Sequence, residues 1–305
     1  MVYVLGIAAA AFLGVGWVLQ QRVAVRSPAT QRLNWAALRV LIRSGEWWGG
    51  IAAMSVGQSL AAWALQNGPI TIVEPLLVSC LFFAFGLSAW LGHHPIRLHE
   101  VVGTALLAGA VAMFLAVANP QANVVQNPGW GTVLLATGGA CVVAAVVVLA
   151  GRWVGRARTG VATATSTAAA AGIFYALQDV ATRGAIVAVQ GNSVFSLLAM
   201  TWPYVLLFAA VAGVLLSQEA FRAARLDWSL PPTAAVQPLA GVALGVGILD
   251  DHLASSTGGL AVEALSIVIG VAGVVVMGRS LRAMRRSWEP QDKAMVASGK
   301  DGVSP

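Results

Sequence analysis

A helix must supply about 20 consecutive apolar residues to cross a hydrocarbon layer roughly 30 Å thick. This chain has nine stretches close to that length: Val2–Leu19, Trp47–Leu65, Ile70–Leu91, Val101–Ala118, Trp130–Ala150, Val161–Val180, Val194–Leu216, Thr233–Leu249 and Leu260–Gly278. Hydrophobic residues make up 58% of the 305 and charged residues 10%. No single soluble core hides that much apolar surface, so lipid is the expected solvent. The expected fold class is an all-α polytopic membrane protein. The two cysteines, Cys80 and Cys141, lie inside apolar runs and read as packing residues rather than a disulfide. The first run has its arginines after it, not before, which is not the pattern of a cleavable signal.

The basic residues test the count of spans. With the N-terminus outside, the cytoplasmic connections carry Arg22 to Arg43, Arg97, Arg152 to Arg158, Arg222, Arg225 and the tail from Arg279 to Lys300. That places 17 of the 18 lysines and arginines on one side, leaving only Arg183 outside. The expected location is the plasma membrane of the cell, with the C-terminus cytoplasmic. The net charge of +6 therefore serves topology and anionic headgroups, not nucleic acid. Segment 31–46 contains Arg32, Arg39 and Arg43, which are costly at the bilayer centre. An amphipathic helix on the cytoplasmic leaflet is its expected form, with an ordinary loop as the other reading.

The chain also repeats itself. Val73-Glu74-Pro75-Leu76 returns as Val236-Gln237-Pro238-Leu239, 163 residues later. Glu100 and Glu263 keep that register, as do Pro69 and Pro232. Gly57-Gln58-Ser59 is echoed by Ser217-Gln218-Glu219, and Gly14 to Gln20 by Gly172 to Gln178. Spans one to four then correspond to spans six to nine, and the fifth crossing turns the second unit over. The expected organisation is an inverted repeat of four plus one plus four. Residues 1–118 form the first unit, with the amphipathic loop at 20–46. Residues 119–159 carry the linker helix, 160–279 the second unit, and 280–305 a basic cytoplasmic tail expected to be disordered. Inverted repeats are a plan of secondary transporters, with the solute site near the midplane between the units.

The polar residues inside spans are the candidates for chemistry. Glu74 is either a proton or cation site facing a cavity or a helix-start charge in solvent. Asp179 is either a coupling carboxylate, with Tyr175 one turn below, or the partner of Arg183 in an ion pair at the outer end of the sixth span. Gln58 lies mid-span and needs either another helix or a solute. Gln20, Gln178 and Gln218 lie nearer the ends of their spans and share that requirement more weakly, and Gln237 takes the place of Glu74 in the second repeat. Trp17 and Trp63 offer an aromatic wall for an organic cation or simply pack. Trp47, Trp48 and Trp130 begin spans and fit an interfacial belt. Pro75 and Pro238 read as helix-start prolines. Glu100 and Glu263 read as end caps, and Asp250-Asp251-His252 and His93-His94 as solvated turns. There is no His/Cys cluster at metal spacing, no Walker loop and no Ser/His/Asp set, so no enzyme activity, cofactor or metal site is expected. Transport would then have to run on a gradient or on a partner.

Two passages carry a resemblance. Leu65-Gln66-Asn67-Gly68-Pro69 leads into Val73-Glu74-Pro75-Leu76, and Leu226 through Pro231 leads into Val236-Gln237-Pro238-Leu239. With the repeat, they make Val2 to Gly278 resemble the drug/metabolite transporter superfamily, of EamA-like type. The nine-span layout with one long basic loop after the first helix is similar to the NIPA-like magnesium transporter branch. That branch has Gly-Glu where this chain has Gly57-Gln58, so the resemblance implies the fold and a transport role but not the ion. The implied solute is a metabolite, amine or drug, with magnesium or another divalent cation as the alternative. A non-transporting membrane scaffold is the reading from outside that class. The cavity is expected from spans one, three, six and eight, with Glu74 and Asp179 for coupling and Gln58 and Gln178 for solute contact. Expected partners are the solute or ion, anionic lipid near the basic loops, and a second copy of the chain.

Overall fold

The computed structural model describes residues 1–26, 35–67, 70–92, 98–118, 129–157, 160–189, 200–224, 226–249, 259 and 261–277. The two His- and Asp-containing turns and the basic tail lie outside the described residues. Helices occupy all nine apolar runs. They are α1 (Val2–Arg26), α3 (Gly45–Asn67), α4 (Ile70–Val78) continued by α5 (Cys80–Gly92), α6 (Leu98–Ala118), α7 (Trp130–Ala157), α8 (Gly160–Val189), α9 (Trp202–Ala223) and α10 (Leu226–Leu249). The last is α11 (Ala261–Met277). Among the described residues, six helices are both long and apolar enough to cross a membrane: α1, the α4–α5 rod, α6, α7, α9 and α10. The protein is therefore an all-helical, multi-pass membrane protein. α3 and α8 have the length, at 23 and 30 residues, but mix Ser, Thr and Gln into the run. α11 is apolar but shorter.

The exposed surface is apolar, as lipid requires. α7 turns Leu135, Val142, Val146, Leu149 and Trp153 outward. The interior, by contrast, is built from small residues that let helices approach. Gly103 on α6 and Gly273 on α11 face each other so closely that a Cβ on either would lie 2.8 or 2.9 Å from the other's carbonyl oxygen. Close backbone approach of this kind is how helices associate where lipid removes the hydrophobic drive. α1 packs chiefly on α3 and then on the α4–α5 rod; α8 packs chiefly on α9 and then on α10. The order of neighbours is thus the same in the N-terminal and C-terminal parts.

Several boundaries differ from the hydropathy reading. α8 runs nine residues past Val180, so Asp179 and Arg183 lie within the helix rather than at its end. α10 starts at Leu226, not Thr233, because Leu226 and Leu230 are buried in the core and hold the first turns in helix. Pro238 consequently sits deep inside α10, and Pro75 lies in the second turn of α4; neither is a helix-start proline. The Pro75 ring lacks an N–H and crowds the preceding turn. One turn on, the rod breaks at Ser79, whose N–H reaches back only three residues to the Leu76 carbonyl at 3.1 Å. The Ser79 hydroxyl donates to the same oxygen.

The segment after α1 contains a short helix, α2 (Trp35–Arg43). Its Leu41 is fully buried against Val23 and Trp47, while Val40 and Ile42 are exposed. Trp48 and Trp130 are exposed at helix starts, whereas Trp47 is a core residue. Glu100, in the first turn of α6, is buried rather than solvated.

Candidate functional site

α8 organises the interior. Gly172 lets it lie against α10: a Cβ there would sit 2.8 Å from the Thr233 carbonyl oxygen and 3.2 Å from the Gln237 nitrogen. The Thr233 hydroxyl donates to the Ala168 carbonyl across the same seam, at 2.9 Å. This contact fixes the height of Gln237 against Asp179, almost two turns beyond Gly172.

Asp179 is the hub of the polar interior. Its Oδ1 accepts a hydrogen bond from Gln58 Nε2 at 3.0 Å, and its Oδ2 accepts one from Gln237 Nε2 at 2.7 Å. α3, α8 and α10 meet at one carboxylate. Hydrogen bonds to a charged acceptor are worth about 1.5–3 kcal/mol each. Glu74, from α4, lies close enough to interact electrostatically with Asp179.

These groups line a cavity of about 380 Å³. Its walls come from α1, α3, α4, α5, α8, α9 and α10, a wider set than the four spans expected. Glu74, Gln58, Gln178, Gln237, Tyr175 and Trp17 all face it, as does Pro238; Asp179 stands just behind the two glutamines that hold it. Among the described lining residues there is no Lys, Arg or His. Nothing in the apolar runs marked Met54 or Cys80, which also line the cavity. A methionine or cysteine in an apolar run looks the same whether it faces lipid or a cavity.

Below the cavity lies an aromatic floor. Trp17 meets Tyr175 edge-to-face, with centroids 5.4 Å apart, and Phe221 in the same manner at 5.7 Å. The Tyr175 hydroxyl is 3.0 Å from Ser217 Oγ. Beyond that floor, Gln218 Nε2 donates to Gln20 Oε1 at 2.6 Å, and Gln20 Nε2 donates to Met54 Sδ at 2.8 Å. Both glutamines are fully buried. The repeat pairs Gln20 with Gln178 and Gln58 with Gln218. In space Gln20 bonds Gln218, and Gln58 bonds the neighbour of Gln178, so two polar ties of matching origin join the two parts of the chain.

The tie at Gln20 lies near the C-terminal ends of α1 and α9. At that end Arg22 and Arg26 of α1 pair with Glu46 of α3, at 3.3 and 2.7 Å. Arg152 of α7 pairs with Glu219 of α9 at 2.8 Å. Arginines that the charge count assigns to one side therefore cluster at one end of the bundle. The cavity is lined by a carboxylate and amide cluster and by Trp17 and Tyr175, and the buried Gln20–Gln218 pair lies one turn beyond Trp17 on α1, toward the arginine-rich end.

A protein of Corynebacterium glutamicum described only as uncharacterized is 24% identical over 287 residues, which is 93% of this chain and 94% of that protein. No family model and no solved structure matches the chain.

Proposed function

We propose that this protein is a gradient-driven secondary transporter, carrying a small solute across the membrane by alternating access. The observation that carries the reading is the cavity itself. It is walled jointly by helices from both parts of the chain, Glu74, Gln58, Gln178 and Gln237 line it, and a buried amide pair joins the two parts beyond its aromatic floor. A purely structural bundle gains nothing from leaving carboxylates and amides around a void, because each costs free energy when buried. A transporter needs such groups near the midplane between two bodies that rock against each other.

On this reading the two parts are the units of an inverted repeat with α7 as the linker, and the chain belongs with the drug/metabolite transporters, EamA-like in type. The arginine-rich end is cytoplasmic, which puts the N-terminus outside and the cavity nearer the outer face. The Gln20–Gln218 pair and the Trp17 floor then form the inner gate. Glu74 and Asp179 couple solute movement to a proton or another cation, Gln58, Gln178 and Gln237 contact the solute, and the chemistry is transport rather than catalysis.

The test is flux in proteoliposomes loaded with a pH-sensitive dye, screened with amines, amino acids and magnesium. Solute-dependent proton movement in wild type that Glu74→Gln reduces at least tenfold is the expected result. Magnesium uptake without proton movement would replace this reading with the divalent-cation one. No flux of any solute from well-folded protein would leave a scaffold.

A further inference from the structure

We infer that, if the cavity is a transport site, its solute is a protonated amine carrying N–H donors, a primary or secondary ammonium on a small apolar body. Glu74 lines the cavity, Asp179 stands close enough to interact with it, and no cationic side chain is among the described lining residues. An anionic solute would add charge of the same sign beside two acidic groups in an apolar interior, while a cation is attracted to both.

The hydrogen-bonding groups around the cavity also favour a guest rich in donors. A carboxylate only accepts, so the amide nitrogens of Gln58 and Gln237 must be the atoms turned toward Asp179. Their carbonyl oxygens are then left for something else. The hydroxyls are committed as well. Ser55 donates to the Ile51 carbonyl, Thr182 to Gln178 and Thr233 to Ala168. What the cavity offers a guest is mostly acceptors: the Glu74 carboxylate, the amide oxygens of Gln58 and Gln237 and hydroxyl lone pairs, beside the Gln178 amide, which both donates and accepts. A guest with several N–H groups satisfies them, and a guest without donors leaves them buried and unmet. That penalty is the kind that discriminates strongly between a ligand and its analogue lacking the donor.

The same groups suit a metal ion poorly. Both Asp179 oxygens are already held by amides, and among the described residues no three His, Cys, Asp or Glu side chains are placed to share an ion. Magnesium demands six oxygen ligands in near-octahedral array. An ammonium asks only for acceptors in a rough fan. Its apolar part has the Trp17 and Tyr175 faces and the Leu206 and Val214 walls to lie on. The volume suits a solute of about ten non-hydrogen atoms.

The experiment is calorimetric titration of the purified full chain in lipid nanodiscs with four probes of matched size or charge: phenethylamine, its N-trimethylated analogue, phenylacetate and magnesium chloride. The expected result is binding of phenethylamine, at least tenfold weaker binding of the trimethylated analogue, and no heat from phenylacetate or magnesium. Glu74→Gln and Asp179→Asn should each weaken the amine at least tenfold. Should either variant fail to fold, the four-probe series on wild type decides the matter by itself. Equal binding of the trimethylated analogue, preferred binding of phenylacetate or magnesium, or no binding of the amine overturns the inference. Because binding needs no transport, amine binding without flux would sink the transport reading and keep the ligand class. Flux of some other solute without amine binding would do the reverse.

Discussion

Asp179 draws one amide from residue 58 and another from residue 237, so the polar centre of this molecule is assembled from distant parts of the chain. Each of those residues was visible in the sequence as a polar group stranded in an apolar run, and so were Glu74, Gln178, Tyr175 and Trp17. Stranded polarity is legible because burial makes it expensive. What the sequence left open was the partner: Asp179 has Arg183 four residues on, and local spacing cannot show that two amides from other helices take both its oxygens. Apolar lining residues such as Met54 and Leu206 leave no trace at all, since lipid and cavity select the same side chains. The residue scale also offers a clean test of packing. Gly103→Val places a side chain against the Gly273 backbone and Met277, whereas Gly109→Val on the same helix meets nothing within 4 Å. Thermal unfolding in detergent should show Gly103→Val destabilised by about 1–3 kcal/mol and Gly109→Val within about 0.5 kcal/mol of wild type.

Among elements, hydropathy located every described helix except α2 but misplaced several ends. The α10 start was missed because buried Leu226 and Leu230 outweigh two prolines, and no local propensity reports that packing. The α8 end was missed because Asp179 and Arg183 read as a boundary in a window average, though both belong to the helix. The short α2 was foreseen as an amphipathic segment, and its Leu41 does anchor on α1 and α3. Between elements, the Gln20–Gln218 pair ties α1 to α9. Gln20→Leu alone strands the Gln218 amide and should cost about 1–3 kcal/mol. Adding Gln218→Leu should recover part of that loss, with a coupling of about 0.5 kcal/mol or more in a double-mutant cycle read by thermal unfolding. Strict additivity would mean that the two side chains do not act as a pair.

For the whole molecule, the membrane environment follows from composition alone, and the helices bear it out. Six of them satisfy length and apolarity together. α3 and α8 fall short in apolarity because they carry Gln58, Gln178, Asp179 and neighbouring hydroxyls toward the interior, so the helices nearest the cavity are the hardest to count from hydropathy. The proposed inverted arrangement of four, one and four draws its support from the echoes in the sequence, the matching order of helix neighbours and the paired polar ties. It predicts an odd number of crossings. Reporter fusions after residue 305 and before residue 1 should therefore report opposite sides of the membrane, and the same side for both would exclude nine spans. Alternating access, as proposed, requires the cavity to open in turn to each face. Ser55 lines it and is exposed, which makes it a suitable probe. In a Cys80→Ser/Cys141→Ser background, Ser55→Cys should react with a membrane-impermeant thiol reagent added to either face of sealed vesicles, and bound solute should slow both reactions. Reaction from one face only, from protein shown to be folded, would contradict alternating access and leave the cavity a fixed vestibule.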